Sequence, residues 1–129
     1  MKVLALDYGA ARTGVAVSDA TGTIAAPVGV VERAATVDGL ARLEAIVREQ
    51  DVERVVVGLP LTLRGEVGDQ ARETLAFVDA LQNVLSVPIE MYDERFTTTL
   101  AQGSGGAANE DARAAAYLLE GYLRRGGST

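Results

Sequence analysis

Val3, Leu4, Ala5 and Leu6 form an unbroken apolar run that closes on Asp7. Such a run predicts a central strand covered on both faces. Tyr8-Gly9-Ala10-Ala11 makes a tight connection, and residues 13–19 resume an extended, β-rich pattern that predicts an antiparallel return. Thr21-Gly22 signals another turn before a third strand over residues 24–31, so the first three strands form a meander. From residue 36 to 50, Val37, Leu40, Ala41, Leu43, Ile46 and Val47 recur at helical spacing, with Thr36 placed to cap.

Val55-Val56-Val57 predicts a buried fourth strand over residues 53–58, and Pro60, Gly65 and Gly68 mark a loop behind it. A second helix over residues 69–84 places Ala71, Leu75, Phe77, Val78 and Leu81 along one side. Pro88 limits the start of a fifth strand ending near Tyr92. A short helix over residues 95–102 follows. A long one over 109–124 carries Ala112, Ala115, Ala116, Leu119 and Leu123 as its apolar face. The expected class is α/β, a mixed five-stranded sheet flanked by helices.

At 129 residues the chain has room for one compact domain, expected over residues 1–125, with Gly126-Gly-Ser-Thr129 a frayed tail. The absence of cysteine excludes disulfide scaffolds and thiol nucleophiles. The absence of histidine removes the usual general base and the serine and cysteine triads. An enzyme of this composition works with carboxylates, hydroxyls, arginines or metal ions. A net charge of −6 excludes a strongly basic nucleic-acid or membrane-binding domain. No apolar run approaches 18 residues, and the protein reads as soluble and cytoplasmic, with no membrane partner.

Three acidic positions sit where the chain changes direction: Asp7 after the first strand, Asp93-Glu94 after the fifth, and Asp111 at the start of the last helix. Around a central first strand, these positions can converge at one end of the sheet. Clustered carboxylates repel unless a cation lies between them, which points to Mg²⁺ or Mn²⁺. Two such ions ~3.5–4 Å apart can support phosphodiester cleavage without histidine. Each acid also has an ordinary reading. Asp7 can serve the turn at Tyr8, Asp111 can complement a helix dipole, and Asp93-Glu94-Arg95 can be a solvated charge run.

Four blocks shift that balance. Asp7-Tyr-Gly-Ala-Ala-Arg12-Thr-Gly14-Val-Ala-Val-Ser18-Asp19 comes first, then Val57-Gly58-Leu59-Pro60 with Gly65 and Gly68. Asp93-Glu94-Arg95-Phe96-Thr97-Thr98 and the segment from Asp111 through Ala115 and Leu119 to Leu123 complete them. In order and spacing they resemble the signature blocks of the YqgF/RuvX family, bacterial proteins described as pre-16S ribosomal RNA nucleases and as Holliday junction resolvase-like. The resemblance implies an RNase H-like fold and a metal-dependent endonuclease acting on structured nucleic acid. It implies catalytic and metal-binding roles for Asp7, Glu94 and Asp111, with Mg²⁺ or Mn²⁺ as cofactor.

Arg12 and Arg95 flank those acids and can hold phosphate bidentately, or form salt bridges to neighbouring carboxylates. Gly9 would allow close approach of a substrate backbone, or simply shape the turn. Thr97 and Thr98 can contact phosphate or cap the short helix. Gly58-Leu59-Pro60 is expected to shape the rim of the site. The substrate implied first is the 5′ end of pre-16S rRNA, with a ribosome precursor as partner; a branched DNA junction comes second. Junction resolution needs paired active sites, so monomer and homodimer separate the two. A non-catalytic nucleic-acid or ribosome-associated module is the alternative from another class. An ATP-binding phosphotransferase is disfavoured because such proteins close two domains on the nucleotide.

One departure stands out. Between Thr99 and Asp111, where the family carries a longer and often basic segment, this chain has Leu100-Ala-Gln-Gly-Ser-Gly-Gly-Ala-Ala-Asn-Glu110 without a cation. Fewer neutralised phosphates predict weaker binding to nucleic acid.

Overall fold

The computed structural model describes residues 1–96 and 107–125. Its five strands form one sheet in the order β3-β2-β1-β4-β5. β1 (Val3–Asp7), β2 (Arg12–Ser18) and β3 (Ala25–Glu32) make the expected antiparallel meander. β4 (Arg54–Leu59) pairs with β1, and β5 (Ile89–Asp93) with β4, both in parallel. β1 is therefore the middle strand, and Val3 to Leu6 are buried because both faces of the sheet are covered.

The two faces carry separate cores. Leu4, Leu6, Val15, Val55 and Val57 pack with Leu43, Ile46, Phe77 and Leu81 of helices α1 (Val37–Glu49) and α2 (Asp69–Gln82). Val3, Ala5, Ala16 and Val56 pack with Ala115, Leu118, Leu119 and Tyr122 of α3 (Ala107–Arg124). Period-two alternation along β1 and β4 thus sends alternate side chains to the two helical layers.

The helices follow the apolar spacing with local corrections. Thr36 caps α1 as expected, its side chain accepting from the Gly39 amide. Val37, expected inward, is 83% exposed because it sits at the first helical position, before the buried face begins. Gly39 takes the buried place instead, since a Cβ there would lie 2.3 Å from the Arg33 carbonyl oxygen. In α2, Thr74 rather than Leu75 is buried; its hydroxyl donates to the Gln70 carbonyl at 3.0 Å, which satisfies the group inside the core. α3 begins two residues before its expected start, at Ala107. Of the expected short helix, the described part is a single 3₁₀ turn, Glu94–Phe96; the remainder lies outside the described residues, as do Thr97, Thr98, the Gly103–Gly106 patch and the tail from residue 126. Among the described residues no helix is long and apolar enough to cross a membrane.

Candidate active site

The parallel registers of β4 with β1 and β5 align the carboxyl ends of three strands. Leu6 lies opposite Val57, Gly58 opposite Tyr92, and Leu59 opposite Asp93, so Asp7 and Glu94 emerge at the same end of the sheet. Clefts form at such strand ends in α/β sheets. Here the cleft is a cavity of about 340 Å³ lined by Asp7, Tyr8, Pro60, Glu73, Thr74 and Glu94 among others.

Asp7 and Glu94 meet. Their carboxyls share a hydrogen bond, with Glu94 as the protonated partner donating to Asp7. Burial above all, with the neighbouring charge and hydrogen bond of Asp7, raises the Glu94 pKa to about 7. Burial likewise raises Asp7, opposed by the Glu94 hydrogen bond and assisted by the charge of Asp111. Glu94 reaches this position over Gly58: a Cβ on that glycine would lie 2.6 Å from Glu94 Oε2. Gly58 is thus a cradle for the carboxylate, a more specific role than the rim expected of it. The signal was a glycine closing a Val-Val-Val strand, where backbone or side chain commonly approaches closely.

Asp111 arrives from the other layer. Gly14 pairs with Asp7 across the sheet, and a Cβ on Gly14 would lie 1.9 Å from the Asp111 carbonyl oxygen. The first turns of α3 therefore rest on bare backbone next to Asp7. The Asp111 carboxylate accepts from Arg12 Nε at 2.8 Å. Among the described residues no three acids are grouped so as to hold a metal ion. The expected triad resolves into a touching pair, Asp7 and Glu94, with Asp111 adjacent and committed to Arg12.

Arg95 is held by its neighbour. Asp93 accepts from Arg95 Nε and Nη2 at 3.0 Å and 2.7 Å, and from the Arg95 amide at 2.9 Å. This keeps the Asp93 pKa below its ordinary value. Asp93 and Glu94 thus diverge, one bracketing an arginine and the other entering the cleft. Both arginines form the salt bridges that were one of their two readings, and their side chains stay partly exposed. At Gly9 the backbone is what matters: its amide lies 3.4 Å from Thr13 Oγ1, and a Cβ would meet the Arg12 carbonyl oxygen at 2.6 Å, so the residue closes the β1–β2 turn. Sequence reasoning missed the α2 wall of the cleft, Gln70, Glu73 and Thr74. The helical period of α2 marks its core face and gives no separate signal for these polar positions.

The donor set fits a hard divalent cation. Two half-buried carboxyls, one closing β1 and one just after β5, lie together, and burial raises the pKa of each. All four donor atoms are oxygen, the preference of Mg²⁺ and Mn²⁺.

Comparison with known proteins places this geometry. Across 98% of its length, the RuvC chain of a Thermus thermophilus complex with a Holliday junction substrate superposes on all of this chain with a TM-score of 0.65 at 17% identity, which identifies the RNase H-like fold. A Chloroflexus aurantiacus protein named "Putative pre-16S rRNA nuclease" is 44% identical over 130 residues, covering 94% of this chain and 85% of its own. A Clostridium novyi protein of the same name is 38% identical, covering 95% of this chain and 98% of its own. A family model described as RuvX, Holliday junction resolvase, matches residues 1–125. With that match running almost end to end, the chain belongs to the RuvX family.

Proposed function

We propose that this protein is a metal-dependent endonuclease whose substrate is structured RNA at the 5′ end of pre-16S rRNA, met in the cytoplasm on a ribosome precursor. The observation that carries the reading is the contact between the Asp7 and Glu94 carboxyls at an open cleft. The names of the relatives supply the substrate. Asp7 and Glu94 would hold a Mg²⁺ or Mn²⁺ ion, with Asp111 beside them as the third acid. When bound, the ion supplies the Lewis acidity and water activation that a chain without histidine otherwise lacks.

The chain's own residues do the rest. Burial beneath the three strand ends strips water from the carboxylates and strengthens their hold on a cation. Glu94 must give up its proton before it can serve as a ligand, so occupancy of the site is linked to pH. Arg12 and Arg95 are bridged to Asp111 and Asp93, next to the acids in sequence, and their partly exposed guanidinium groups would hold phosphate oxygens while those bridges fix their position. Thr97 and Thr98 follow Arg95 in sequence and belong to the same proposed phosphate contact.

A second reading, resolution of branched DNA, is favoured by the description of the matching family model. The two are separated by one assay: cleavage of a ribosomal precursor fragment and of a four-way DNA junction, by the parent and the Asp7→Asn protein, with Mn²⁺ or with chelator. The expected result is chelator-sensitive cutting of the RNA that Asp7→Asn abolishes. Preferential symmetric cutting of the junction by a dimer supports resolution, and cutting that survives chelator contradicts both.

A further inference from the structure

The loop between β4 and α2 carries the most exposed large apolar side chain among the described residues: Leu63 is 95% exposed. A single surface leucine is ordinary; this one stands on a built support. Thr62 and Glu66 pair across the loop, with the Thr62 amide donating to the Glu66 carbonyl at 3.0 Å and the Glu66 amide to Thr62 Oγ1 at 3.1 Å. The Gly65 amide donates to the Thr62 carbonyl at 2.8 Å, closing a turn that leaves Leu63 and Arg64 at its tip. Gly65 adopts φ +80°, a conformation that glycine takes without strain.

The tip is also fastened to the segment that carries the acid. Arg95 Nη1 donates to the Leu63 carbonyl at 3.4 Å, and the Arg95 guanidinium lies against Gly65, 3.2–3.5 Å from where a Cβ would stand. Arg95 is in turn clamped by Asp93, next to Glu94. The loop begins at Pro60, which lines the cleft with Asp7 and Glu94. An apolar side chain flanked by the exposed Arg64 thus projects on a braced arm beside the site.

We propose that Leu63 is a base-contacting wedge, packing on the face of an unpaired or unstacked nucleotide next to the phosphate held at the Asp7–Glu94 cleft. The proposal rests on the nuclease reading and adds a substrate class to it: nucleic acid that offers a free base face at a tail, bulge or branch, rather than a continuous duplex. Charge complementarity selects this occupant, since Arg64 and Arg95 can engage the phosphates on either side of such a base while the leucine meets its ring.

The test uses two RNA probes with Ca²⁺, another hard oxygen-bound cation, in place of Mg²⁺ or Mn²⁺, and the integrity of each probe is checked on a gel. One is a hairpin with a single-stranded tail bearing 2-aminopurine at its first unpaired position; the other is a continuous duplex of equal length. Leu63→Ala is expected to weaken binding of the tailed probe about 5- to 20-fold and to suppress the change in 2-aminopurine emission, leaving duplex binding within about twofold. Leu63→Phe restores both. An unchanged affinity for the tailed probe, as a protein-docking role for Leu63 would give, overturns the proposal, and so does an equal loss on both probes. Because the readout is binding, a protein that engages the tail through Leu63 yet never cuts would sink the nuclease reading alone. Cutting that is indifferent to Leu63→Ala would sink the wedge alone.

Discussion

Glu94 concentrates the chemistry of the site in one titration. Its folded pKa of about 7 lies above the ordinary 4.5, so its contribution to stability is fully present below pH 4.5 and is lost as pH rises through 7. The metal-free protein is therefore expected to melt at progressively lower temperature between pH 5 and pH 8. After discounting for partial exposure, the loss is on the order of 1–3 kcal/mol. Glu94→Gln should flatten this dependence in a melting series across that range, and an unchanged slope would show that the carboxyl pair is not its source. Protons and cations compete for the same oxygens, so Mn²⁺ affinity should rise with pH toward 7 and restore the melting temperature at pH 8. Arg12 behaves differently. Its bridge to Asp111 is open to solvent on the arginine side and partly so on the other, so Arg12→Ala should cost less than about 1 kcal/mol of stability. If the guanidinium holds phosphate, the same change lowers cleavage tenfold or more, as initial rates at limiting substrate would show.

The strands and helices were largely legible because their signals are local and repeated. The Val3-Leu-Ala-Leu6 run marked the central strand, and Thr36 marked the start of α1. Juxtaposition was harder to read. Asp93 and Glu94 are adjacent at a strand end, and spacing alone does not choose between them; the family resemblance points to Glu94, and in the fold the space above Gly58 receives Glu94 while Arg95 takes Asp93. Likewise the commitment of Asp111 to Arg12 joins residues 99 positions apart, beyond any local pattern.

Two glycines test how elements set the site. Gly14→Ala drives a Cβ into the backbone of α3 at Asp111, which cannot yield as a side chain can, and about 3 kcal/mol of stability should be lost in denaturant titration. Gly58→Ala meets the Glu94 side chain, from Cγ to Oε2, rather than backbone. It should leave melting nearly intact while displacing the carboxylate, so cleavage falls more than tenfold. Equal loss of fold and activity in Gly58→Ala would deny the cradle its role.

Over the whole molecule, the fold gathers a few cations beside the acids on a chain of net charge −6. Long-range electrostatics therefore oppose nucleic acid, and recognition falls to short contacts at the cleft. With Arg12, Arg64 and Arg95 as the contacting cations, the logarithm of the binding constant should fall with the logarithm of salt concentration with a slope of about −2 to −3. A slope near −6 would require a broader basic surface than these residues provide. The measurement that bears most directly on the account is a Mn²⁺ titration at pH 8, followed by loss of the free-ion paramagnetic signal, on the parent, Asp7→Asn and Glu94→Gln proteins with cleavage measured in parallel. The account predicts that each substitution weakens Mn²⁺ binding at least tenfold and removes cutting in step, with the fold retained. Unaltered Mn²⁺ affinity in both variants, or cutting that persists without the ion, would contradict it.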